Sequence, residues 1–146
     1  MNEPRPLSRQ PLQDDFIDEI APFDERAEQA IEDGDGAALA EALEQIWVRM
    51  PTPRTEHDLQ ALVGWCTDAL EQVGNWTALR TWVPRYAEQY GAEDPSTRVL
   101  DGILRYNDGD RGRAQGILAA VLEEFGPTVF EGHKEYLRVA KGGQLT

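Results

Sequence analysis

Three glycines in this chain are each followed at once by a residue type that caps helices: Gly34-Asp35, Gly74-Asn75 and Gly109-Asp110. A glycine that stops one helix in the left-handed conformation, with an Asp or Asn to start the next, specifies helix, tight turn, helix. The three pairs are separated by 40 and 35 residues, and the apolar residues keep register with them. Leu39, Leu79 and Ala114 follow five residues on, Leu43, Val83 and Leu118 nine on, and Ile46, Tyr86 and Val121 twelve on. Those three positions share one helical face, and a hairpin with such a face must stack on a neighbour to bury it.

The stretches between the turns carry the same period. Leu59, Leu62, Val63, Cys66, Ala69, Leu70 and Val73 step by threes and fours, as do Ala114, Ile117, Leu118, Val121, Leu122 and Phe125. No segment alternates apolar and polar residues as a half-buried strand requires. The pattern therefore predicts an all-α fold, with helices over 14–20, 22–33, 36–50, 53–73, 76–90, 95–107, 111–125 and 129–141. Pro22, Pro53 and Pro95 are read as first-turn prolines, with Thr52 and Asp94 as N-caps of the latter two. Pro84 falls inside 76–90 and should kink or split it. Thr128 and Glu131 have capping-box spacing. Residues 1–13, with Pro4, Pro6 and Pro11, read as a flexible arm, 14–141 as one repeat domain and 142–146 as a flexible tail.

Charge narrows the setting. The 146 residues hold 27 acidic and 14 basic side chains, a net charge of −13. Residues 14–50 alone contribute −10, whereas residues 94–146 are nearly neutral at −1. Such an excess argues against nucleic-acid binding, which draws on clustered Lys and Arg. No apolar run approaches the roughly 20 residues that span a bilayer, and the first residues hold no apolar signal core, so no membrane role and a cytoplasmic location are expected. Arginine outnumbers lysine 12 to 2, as the codon usage of a GC-rich bacterial genome would produce. One cysteine and two histidines leave neither an internal disulfide nor a Cys/His zinc set, and no cofactor is expected.

The third unit, PSTRVLDGILRYNDGDRGRAQGILAAVLEEFG, carries a family resemblance. Gly102, Gly109, Ala114 and Leu118 fall at the packing glycine, turn glycine, small alanine and large apolar position of the tetratricopeptide repeat, which residues 20–141 resemble in degenerate form. Arg98, Asp101 and Arg105 stand where that family has tryptophan, leucine and tyrosine. The resemblance implies a right-handed stack of about three antiparallel helical hairpins closed by a C-terminal capping helix, with the first helices lining a groove for a partner protein or peptide. Carried over from the turn glycines, the groove positions are Ala21, Asp24, Glu28 and Ile31 in the first unit. Ala61, Gly64, Asp68 and Glu71 follow in the second, and Ser96, Val99, Ile103 and Tyr106 in the third. The cap helix adds Phe130 and His133. This groove would be acidic at its amino end and apolar at its carboxyl end, suiting a basic partner with apolar anchors.

Other residues take plainer readings. Trp47 and Cys66 lie on apolar stripes and belong to the core, while Trp65 and Trp82 sit on helix flanks, where they seal packing between hairpins. Ser8 and Ser96 lack a nucleophile-elbow setting. Gly34-Asp35-Gly36 is a helix turn rather than a dinucleotide loop, because Leu39 replaces the third glycine. Asp33, Asp35 and Glu44 have calcium-loop spacing, but Ala38 stands at the position that needs glycine. The chain thus reads as a non-enzymatic interaction module acting as an adaptor, scaffold or chaperone-like regulator. One alternative is self-association, pairing the acidic segment with the Arg105, Arg111, Arg113, Lys134 and Arg138 end. Another is a helical enzyme using scattered carboxylates, although the paired acids Asp14-Asp15 and Glu123-Glu124 point in different directions as helix neighbours and read as solvated surface.

Overall fold

A computed structural model describes residues 9–144. Among these the chain is all-helical, with α1 (Asp14–Asp33), α2 (Gly36–Arg49), α3 (Gln60–Val73), α4 (Trp76–Tyr90), α5 (Pro95–Asn107), α6 (Arg111–Phe125) and α7 (Lys134–Ala140). Short 3-10 turns occupy Arg54–Glu56 and Pro127–Phe130. The described residues divide into two compact units that part between Gln89 and Tyr90. None of the described helices is long and apolar enough to cross a membrane.

The three turns form as their residues dictate. Gly34 and Gly74 take the left-handed conformation, at φ 66° and 72°, and close α1 and α3; Gly109 stands at φ 97°. The side chain of Asp35 accepts from the Ala38 amide, Asn75 from Ala78 and Asp110 from Arg113, each satisfying a helix-start N–H that has no intrahelical partner. Asp94 caps α5 in the same way, with Pro95 in the first turn.

In the first unit α1 packs along α2, and the core holds Phe16, Ile20, Ala27, Leu39, Leu43, Ile46, Leu59, Val63, Cys66, Leu70 and Leu79. Helix α4 reaches α2 through Trp82, which meets Trp47 edge-on at a centroid separation of 5.4 Å. Trp82 is only 1% exposed and Trp47 half-buried, so the flank and core readings of these two are exchanged. In the second unit α5 packs on α6 and α6 on α7. Gly102 permits the first contact: a Cβ there would lie 2.6 Å from Leu118 Cδ2. Tyr106 and Tyr136 meet edge-on at 6.0 Å, and Asn107 donates to the Tyr136 hydroxyl.

Several boundaries differ from those expected. Pro22 lies inside a continuous α1, because it sits on the exposed side, where water can serve the Asp18 carbonyl its missing N–H leaves bare. Pro84 is likewise exposed and inside an unbroken α4. No helix begins at Pro53; a 3-10 turn and an extended stretch intervene before Gln60. Thr128 does not cap a helix at 129, and α7 starts only at Lys134. The arm is anchored from Arg9 onward: Gln10 and the 56–58 backbone exchange hydrogen bonds of 2.9 and 2.7 Å, while residues 1–8 lie outside the described part. Gly142 and Gly143, expected in a flexible tail, fold back to donate to the Val139 and Arg138 carbonyls, while residues 145–146 lie outside the described part.

Candidate functional site

Twelve acidic residues between positions 14 and 50 need somewhere to go, and two helices carry most of them. Helix α1 buries a narrow stripe of Phe16, Ile20, Ala27 and Ala30, and α2 buries Leu39, Ala42, Leu43 and Ile46. Where α1 ends and α2 begins, the facing residues are small. Ala30, Ala38 and Ala42 leave a groove of about 260 Å³ between the helices. Gln29, Asp33, Asp35, Glu41 and Gln45 form most of its rim, with Arg26 at one end. Asp33, Asp35 and Glu41 are exposed, so their charge is available to a ligand. Gln29 donates to Asp33 at 3.1 Å, which steadies that carboxylate along the wall. The floor is apolar and the rim is net negative, a combination that fits the aliphatic stem and charged head of Arg or Lys.

The groove positions derived from the repeat fall elsewhere. Asp24, Glu28 and Ile31 lie on the other flank of the α1 stripe, by helical stepping of about 100° per residue. Asp24 and Ile31 are half-buried and Glu28 is exposed. On α3, Gly64 and Glu71 are half-buried and Asp68 exposed. In the second unit Val99, Ile103 and Tyr106 are 1%, 0% and 4% exposed. They are core, and the apolar wall they were expected to offer is closed, because α5 uses that stripe to fold its own unit. Phe130 is buried as well, and His133 half-buried just before α7.

The three carboxylates with calcium-loop spacing do not converge on one site. Asp35 caps α2, Asp33 takes the Gln29 amide and Glu44 meets Arg85 on α4, so each serves a different partner. Cys66 is fully buried, and burial pushes its thiol far up, a shift that the nearby Arg85 only partly opposes. A thiol in that state is a packing residue rather than a nucleophile.

Around Trp47 the cations are equally committed. Arg54 and Arg85 stack on its ring at 4.1 and 4.3 Å, and Arg54 also donates to the Trp47 carbonyl. Sequence reasoning placed the acidity but missed the seam. Its legible signal was the set of alanines flanking the Gly34-Asp35 turn, with Ala38 and Ala42 one turn apart on α2. Compared with family models, with curated proteins and with solved structures, the chain finds no match.

Proposed function

We propose that this protein is a non-enzymatic interaction module whose α1–α2 groove takes a basic segment of a partner protein. One observation carries the reading: an alanine-floored groove rimmed by exposed Asp33, Asp35 and Glu41, within a segment of net charge −10. An arginine or lysine seated there would cover apolar floor with its stem and reach the rim carboxylates with its head. The surrounding negative field would speed encounter and make binding weaken with salt. The tetratricopeptide-like stack of three hairpins, with α7 as cap, is the architecture in which this reading sits most naturally. It is supported by the three capped glycine turns and by the α1–α2 and α5–α6 pairs.

The test is fluorescence anisotropy with an Arg-rich peptide carrying interspersed leucines, against the same peptide with Arg replaced by Glu. Selective binding that is lost in a double Asp33→Lys, Glu41→Lys variant with unchanged circular dichroism supports the groove. Equal binding by that variant removes it.

A further inference from the structure

Both lysines of the chain, Lys134 and Lys141, stand with Arg138 around one concavity on α7, which Leu137 and Gly143 complete. The spacing of four and then three residues puts the cations on one helix face. Like charges so placed repel one another, and the helix dipole rewards only those near the carboxyl end. Lys134 opens α7 and so stands at the unfavourable end. Dipole complementation therefore does not account for the face.

Three other cations of this unit are committed, Arg98 to Glu124 at 3.0 Å, Arg105 to Asp101 at 3.2 Å, and Arg111 over the Tyr106 ring at 4.6 Å, while Arg113 is exposed on α6. Among the described residues the three α7 cations form no ion pair, and all three are exposed. Gly143 keeps the rim low. A Cβ there would lie 2.7 Å from Arg138 Cγ, so a side chain would push the guanidinium aside.

A basic concavity on a chain of net charge −13 selects an acidic protein surface, and one such surface is present at equal concentration in every solution of this protein. The carboxylates Asp33, Asp35 and Glu41 of the α1–α2 rim are exposed, as are the three α7 cations. We infer that α7 of one copy docks on the acidic α1–α2 rim of a second copy, a head-to-tail association driven by charge. This draws on the acidity of the groove described above but needs no foreign peptide, so the two readings fail separately. A contact between two different patches leaves one of each patch open at the ends, so assemblies grow with concentration unless the ring closes.

Sedimentation velocity of the full chain tests it, at low and at high salt, with two reversed variants. One carries Lys134→Glu, Arg138→Glu and Lys141→Glu; the other carries Asp33→Lys and Glu41→Lys. The wild type should associate at low salt and fall apart at high salt. Each variant alone should be monomeric, with association weakened on the order of tenfold or more, because both of its patches then bear the same sign. An equimolar mixture of the two variants should associate again, since each supplies the patch the other lacks. A monomeric wild type at low salt, an α7 variant that still associates, or a mixture that stays monomeric would each overturn the inference. Retention of a monomeric wild type on a heparin column, lost in the α7 variant, would likewise overturn it by assigning the patch to polyanions. Peptide anisotropy on the wild type reads the groove independently of all these outcomes.

Discussion

Arg85 on α4 meets the Glu44 carboxylate of α2 at 2.5 Å, and the same guanidinium lies over the rings of Trp47 and Trp82 at 4.3 and 4.7 Å. One side chain thus ties two helices by charge and by stacking, from a position whose side chain is 18% exposed. The carboxylate is 43% exposed, so solvent screens the ionic part and the planar stack carries much of the benefit. Arg85→Lys keeps the charge and loses the plane and the paired donors. Thermal unfolding should show Arg85→Lys destabilised by about 1 kcal/mol and Arg85→Ala by about 2 kcal/mol. Equal stability of Arg85→Lys and the wild type would reduce the contact to a simple ion pair.

Gly102 and Gly116 make a matched pair within the second unit. A Cβ at Gly102 would press on Leu118 Cγ at 2.8 Å, whereas nothing lies within 4 Å of one at Gly116, on the exposed face of α6. Gly116→Ala should stabilise by about 0.5–1 kcal/mol through helix propensity alone. Gly102→Ala should destabilise by about 1–3 kcal/mol despite the same propensity gain, because the α5–α6 approach must widen. Chemical denaturation of both variants settles the signs.

Gln89 is a buried junction at the end of the first unit, 3% exposed. Its side-chain carbonyl accepts from the Leu59 amide at 3.1 Å and from Arg9 at 2.8 Å, and its amide donates to the Arg54 carbonyl at 2.8 Å. Gln89→Leu would remove three side-chain hydrogen bonds at once, but the Leu59 amide and the Arg54 carbonyl keep their bonds to the His57 backbone, so it should cost about 1–3 kcal/mol. Arg9 would also lose a tie, so trypsin should cut after Arg9 faster in the variant. An unchanged cleavage rate would show that the Gln10 backbone pairing and the Arg9 bond to the Gln89 backbone carbonyl hold the arm without the Gln89 side chain.

Cys66 gives a pH dependence with a definite sign. Burial holds the folded thiol protonated, while the unfolded thiol ionises near about 8.5. A group whose folded pKa is raised contributes stability that is fully present below the unfolded value and lost as pH rises above it. Stability should therefore decline above pH ~8.5. Cys66→Ala should flatten that decline while lowering stability at neutral pH. Thiol-reactive dye should label native protein only at the rate of unfolding, and fast labelling would contradict the burial.

Local chemistry was readable from the residues alone. Gly34-Asp35, Gly74-Asn75 and Gly109-Asp110 make the turns their identities demand, and α4, α5 and α6 begin and end where capping and periodicity place them, because a cap or a left-handed glycine involves neighbours within a few positions. The acidic character of residues 14–50 was equally a property of sequence.

Long-range choices were not readable. Pro22 and Pro84 sit inside helices because tertiary packing leaves them on exposed faces, which no local rule specifies. Val99, Ile103 and Tyr106 share a stripe that would serve a groove or a core equally well, and only the packing of α5 in its unit made it core. The alanine-floored seam of α1 and α2 and the three-cation face of α7 depend on which flank of each helix its neighbours leave uncovered. Periodicity defines the face that a helix buries; the flank that stays open is decided by what packs beside it.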